Sequence, residues 1–227
     1  MINIDFEDLI KANEIFESGT SWDTDYFRTI ERRDIWDDLK NLNENNVRNI
    51  ILKFLNNWKC RISYSRTHEI LEVLKRIDNL FTCLKDEDIV SITFDKFVIV
   101  DEQKLQIKEV IKKIYEDLSP VTSPPVGKAG HTATSKIMHM VNPELFVMWD
   151  KKIRDNYGCY GSSEGYVNFL QKMQGMIKEL IKNYSQTHNI REEEAKEEIR
   201  KKCHDLKKTL AKLIDQYNYL KFTRGMI

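Results

Sequence analysis

An all-α fold is expected for this 227-residue chain on three observations. Apolar residues recur every three or four positions through most of it, the mark of helices with one buried face. Charged residues make up 32% of the chain and there are only eight glycines, a balance that suits helices with solvated outer faces. One stretch alone, residues 88–102 (DIVSITFDKFVIVDE), is rich in β-branched and aromatic residues, so at most a minor strand pair is expected, around 89–100.

Taken in order, residues 5–17 read as a short amphipathic helix closed by Ser18-Gly19. Ser21 or Asp23 is placed to cap the next helix, whose apolar members are Trp22, Phe27, Ile30, Ile35, Trp36 and Leu39. Residues 44–58 give the clearest pattern, because Val47, Ile50, Ile51, Phe54, Leu55 and Trp58 share one helix face. Residues 67–84 repeat it with Ile70, Leu71, Leu74, Ile77, Phe81 and Leu84, and helix resumes over 102–118. A turn of helix is expected at 151–156 and a loop at 158–165. From 166 to about 221 the chain reads as charged helices, broken near 185–189, with REEEAKEEIRKK as a solvated face. No internal repeat or long linker divides the chain, so one domain, or two small lobes of one fold, is expected.

Lys+Arg and Asp+Glu balance at 36 each, so no overall basic field marks a non-specific nucleic-acid coat protein, though a local basic site is compatible with it. Cys60, Cys83, Cys159 and Cys203 are too scattered for a metal or iron–sulfur site, and no metal or other cofactor is expected. The first residues lack a basic end and an apolar run, and no stretch is long enough to span a membrane. The expectation is a cytoplasmic monomer that makes no membrane contact.

Residues 119–150 (SPVTSPPVGKAGHTATSKIMHMVNPELFVMWD) are the most informative segment. They hold all four prolines and read as a helix end, a Gly/Pro-punctuated turn, a short apolar helix and a second turn that delivers Asp150. Gly127 and Gly130 are expected to let the backbone turn and expose amides where the next helix opens, an arrangement suited to holding a phosphate. The segment resembles the helix-hairpin-helix DNA glycosylase superfamily over residues 102–157. The family reads L-P-G-V-G-x-[K/S/T]-T-A through its hairpin, with a catalytic aspartate eighteen residues after the variable position. Here Ser123-Pro124-Pro125-Val126-Gly127 precedes Gly130-His131-Thr132-Ala133-Thr134, and Asp150 lies eighteen residues after Thr132. The chain departs from the pattern in separating its two glycines by two residues, and in placing Thr132 where bifunctional members carry a Schiff-base lysine.

The resemblance implies two helical lobes with Asp150 at the mouth of a cleft, and a hydrolase that excises a modified base from double-stranded DNA. The base is flipped from the stack, and a carboxylate offsets the charge that develops on the sugar. Asp150 is the candidate carboxylate, with Lys136 as a second catalytic candidate one turn beyond the family's lysine position. Gly127, Lys128, Gly130, His131 and Thr132 are candidate backbone-phosphate contacts, joined by the basic residues Lys151, Lys152 and Arg154. Trp149, Tyr157 and Tyr160 are candidates for the base pocket. The residues also admit plainer roles: Asp150 as a helix N-cap, Trp149 and His139 as core, Lys136 as a snorkelling side chain. A non-catalytic module that grips DNA backbone is the alternative function, and a charged interaction protein a third. By analogy, the glycosylase reading extends to DNA repair or to defence against modified phage DNA.

Overall fold

The computed structural model describes residues 4–19, 22–123, 130–204 and 207–227. It is 69% helical, with one two-stranded antiparallel sheet, in agreement with the expected class. Helix α1 (Phe6–Gly19) begins where the Asp5 carboxylate accepts the Asp8 amide at 2.7 Å. Helices α2 (Trp22–Ile30) and α3 (Arg33–Trp36) follow. The expected 44–58 helix is continuous but not uniform. It consists of α4 (Glu44–Asn46), a wider π-type stretch (Val47–Ile51) and α5 (Leu52–Asn57), opened by a reciprocal Asn43/Asn46 capping box.

The pattern over 67–84 is interrupted at Ile77, whose backbone (φ −97°, ψ 8°) leaves the helical region and separates α6 (Thr67–Arg76) from α7 (Asp78–Thr82). The β-branched stretch supplies strand β1 (Phe97–Val100). It pairs with β2 (Gln103–Gln106) through a two-residue turn in which Asp101 and Glu102 both have positive φ, the geometry that a tight hairpin requires. Helix α8 therefore starts at Ile107 and not at 102, and runs to Val121 with Pro120 in its last turn.

The remaining helices are α9 (His131–Val141), α10 (Lys151–Asn156), α11 (Ser163–His188), α12 (Glu192–His204) and α13 (Leu210–Asn218), with a closing π-type turn at Tyr219–Arg224. Asn189 adopts the left-handed conformation and ends α11 at the expected break. Helix α8 is central. It buries Ile107, Val110, Ile111, Ile114, Tyr115 and Leu118 and packs against α6, α7, α9 and α11. Helix α13 lies against α1 and α11 with every one of its nine residues buried, which the charged sequence of residues 166–221 does not announce. Among the described residues the buried side chains form one contiguous cluster reaching from Ile4 to Leu220. Among the described residues no helix is long and apolar enough to cross a membrane.

Candidate functional site

A cavity of about 650 Å³ opens between the start of α9, the segment leading into α10, the turn after α5 and the inner face of α13. It lies within the size range of small-molecule pockets. Helix α9 meets it end-on, since Gly130, His131, Thr132 and Ala133 all border it. Gly130 occupies the N-cap position and among the described residues no side chain caps this helix, whose first turn borders the cavity.

The structure gives Gly130 a different role from the expected one. Its φ is −73°, which any residue tolerates, and its own amide is engaged by the Ser123 hydroxyl at 3.0 Å and the Ser119 carbonyl at 3.3 Å. A Cβ added there would lie 2.3 Å from the Thr122 backbone. Glycine is needed because the two helix ends touch, and the Gly130 amide is not available to a phosphate. The paired Thr122 and Thr134 hydroxyls, 2.8 Å apart, close the same contact.

Asp150 borders the cavity, half-buried. It is also the N-cap of α10: Oδ1 accepts the Ile153 amide at 2.9 Å and Oδ2 accepts the Thr223 hydroxyl at 2.6 Å. The plain reading of this residue as a cap and the sharper reading as a cavity carboxylate are therefore both realised in one side chain. Its position is tied to α9 through Ser135, whose hydroxyl accepts the Trp149 amide at 3.2 Å and donates to the Thr132 carbonyl at 3.0 Å. Trp149 borders the cavity but is 1% exposed, with its indole N–H on the His131 carbonyl at 3.2 Å. It packs against Tyr166 and Phe169, which makes it a wall and not a mobile wedge.

Lys136 reaches the cavity from the second turn of α9 and is nearly buried. Its ammonium donates to the Trp58 carbonyl at 3.0 Å, lies 3.5 Å from Cys60 Sγ and sits over the Trp58 ring at 5.0 Å. The Arg154 guanidinium stacks over Trp149 at 5.2 Å, and its Nη1 is buried with no hydrogen-bond partner among the described residues. His131 stacks on Tyr115 and shares a 2.9 Å hydrogen bond with the Tyr115 hydroxyl. Burial, and then the Arg154 charge, push the His131 pKa down and favour the neutral ring.

The other expected site residues fall elsewhere. Lys151 touches the cavity rim but pairs with Asp155 at 2.5 Å, and Lys152 donates to the Thr223 carbonyl at 3.1 Å. Tyr157 is buried behind the wall with its hydroxyl on Asn218 at 2.7 Å, and Tyr160 is 85% exposed; neither borders the cavity. Both were expected in a pocket because they follow Asp150 closely, yet α10 and its closing turn carry them past the opening. Gly127 and Lys128 lie outside the described residues.

Sequence reasoning missed the rest of the lining. Trp58, Lys59 and Cys60 come from the turn after α5, where Lys59 and Arg61 hold positive φ (61° and 57°) without being glycine or asparagine. Phe16, Asp215 and Tyr219 come from the two ends of the chain. Nothing local marks them. Among the described residues no group of three or more His, Cys, Asp or Glu side chains could hold a metal ion. Compared with protein-family models, with curated proteins and with solved structures, the chain matches none.

Proposed function

We propose that this cavity is the active site of a monofunctional DNA glycosylase-like hydrolase, which takes a flipped base from double-stranded DNA and leaves an abasic site. The observation that carries the reading is the placement of one oriented carboxylate, Asp150, on a cavity wall beside a helix start and a buried guanidinium nitrogen that have no side-chain cap and no partner among the described residues. The α9 amides and Arg154 are suited to a phosphate, which fixes register without reading sequence. Asp150 then stands beside the sugar attached to that phosphate. It offsets oxocarbenium charge and directs a water onto C1′. Trp58, Trp149 and Phe16 supply apolar walls for the extruded base. Thr132 in the lysine position, and a Lys136 amine already held by a carbonyl, favour hydrolysis over Schiff-base capture.

A second reading, a DNA-binding module without chemistry, is favoured by one observation: both Asp150 oxygens already accept hydrogen bonds inside the protein. The Asp150→Asn variant separates the two, because asparagine caps a helix as well as aspartate does. Wild-type protein is incubated with duplexes carrying modified and normal bases, and abasic sites are cleaved with alkali. Release is expected to fall roughly 10²–10³-fold in Asp150→Asn while duplex affinity is kept. Strand breaks are expected only after alkali, and borohydride should trap no covalent complex. Base release by Asp150→Asn at the wild-type rate would leave Asp150 as a cap alone. A covalent trap abolished by Lys136→Ala would make Lys136 the nucleophile.

A further inference from the structure

The cavity holds a second carboxyl group for which the mechanism above has no use. Asp215 projects from α13 into the cavity floor, and its side chain is 9% exposed. Oδ2 accepts the Lys212 ammonium at 3.2 Å; Oδ1 accepts no hydrogen bond from any described residue. A carboxyl oxygen that lines a cavity on an otherwise buried side chain, and accepts no hydrogen bond from the described residues, is placed to meet a ligand there. It also differs from Asp150 in kind, since Asp150 has donors on both oxygens.

Resting on the glycosylase reading, we propose that Asp215 is a catalytic general acid that protonates the departing base, and that the enzyme's substrates are bases that are electrically neutral in DNA. As the C1′–N bond breaks, its electron pair stays with the base, and the proton on the Asp215 carboxyl passes to a ring nitrogen of that base. Water adds to C1′ and gives up its proton past Asp150 to solvent, from which Asp215 is reprotonated. One water is consumed, and one free base and one abasic sugar are formed. The two carboxyl groups of the cavity thus divide the work, one acting on the sugar and the other on the leaving group.

The surroundings of Asp215 agree with that division. Burial pushes its pKa up, and the Asp150 charge at the head of α10 adds to this. Lys212 on α13 and Lys136 on α9 oppose it. Burial likewise lowers the Lys212 pKa, which weakens the opposing charge. Tyr26 on α2, Tyr166 on α11 and Tyr219 beyond α13 also face this region, and all three have raised pKa values that keep them neutral.

The test is single-turnover base release across pH from duplexes carrying neutral bases (uracil, hypoxanthine, 5-hydroxymethylcytosine) and one cationic base, 7-methylguanine, which departs without added proton. For a neutral base the wild-type rate should fall about tenfold per pH unit on an alkaline limb, and 7-methylguanine should lack that limb. Asp215→Asn should lower neutral-base release about 10²–10⁴-fold and abolish the limb, with a far smaller effect on 7-methylguanine. The wild-type contrast alone decides the matter if the variant does not fold. Neutral-base release by Asp215→Asn with the wild-type rate and pH profile would overturn the proposal, as would a wild-type enzyme that releases only 7-methylguanine. Failure of wild-type protein to release any base would remove the glycosylase reading itself, a different and recognisable result.

Discussion

Helices α12 and α13 are neighbours in sequence, both carry charged residues, and they lie in opposite environments. Among its described side chains helix α12 buries Ala195, Ile199 and Cys203, one residue per turn, and none of its charged ones; the Arg191–Glu194 pair (2.5 Å) joins side chains that are 77% and 46% exposed, and Lys196 and Arg200 are half-buried. Helix α13 buries all nine residues, and Lys208, just before it, is fully buried. Lys208 donates to Asn13 at 2.7 Å, Glu17 at 3.2 Å and Asp23 at 2.5 Å, and Gln216 donates to the same Asp23 at 2.8 Å. Lys212 lies between the rings of Phe16, Tyr26 and Trp58. Both ions of α13, and Lys208 before it, lie in the interior, so a charged residue in a helix does not by itself mark a solvated position. What accommodates the buried ions is that distant segments bring counter-charges and rings to meet them.

The comparison is broken most sharply at Lys208. Lys208→Ala leaves Asp23 buried without its cation and should cost about 3–5 kcal/mol, seen as a lower midpoint in urea unfolding. A loss below 1 kcal/mol would make this network equivalent to a surface pair.

His139 on α9 sharpens the contrast through pH. Its ring is fully buried between the Tyr26 hydroxyl at 3.1 Å and the Phe146 carbonyl at 2.5 Å. Burial first, and the nearby Lys212 charge as well, push its pKa down to about 3. A pKa lowered on folding means that this stability is complete above about pH 6.5 and declines as pH falls from there toward 3. The expected slope is about 1.4 kcal/mol per pH unit, measurable by urea unfolding between pH 7.5 and 4.5. His139→Gln, which cannot gain a proton, should lose that component of the slope. An unchanged slope would assign acid sensitivity to other groups.

The smallest effect is expected on α12. Glu194→Ala removes an exposed ion pair and should barely move the midpoint of urea unfolding, with the difference shrinking further in high salt. A larger loss would show that α12 docks through its charges and not through its three buried residues.

The sequence by itself determined what depends on neighbours along the chain. The all-α class, the amphipathic faces of α6 and α8, the minor strand pair and the helix start at Asp150 are all set within a few residues, where side-chain period, caps and turn chemistry act. Departures were local too: the break at Ile77 and the strand at Gln103–Gln106 occur where the apolar pattern continues but the backbone pairs or turns. Part of the candidate site was legible for the same reason, since Gly130, His131, Thr132, Lys136, Trp149, Asp150 and Arg154 lie on one short stretch and do meet in the cavity. Tertiary structure alone decided the remainder. Lys136 meets the Trp58 carbonyl from 78 residues away, and Lys208 meets Asp23 from 185. The close approach that requires glycine at position 130 is set by how α8 and α9 cross. Contacts of that range leave no periodic trace in sequence, because they are fixed by packing between elements whose local patterns would be unchanged if the partners were different.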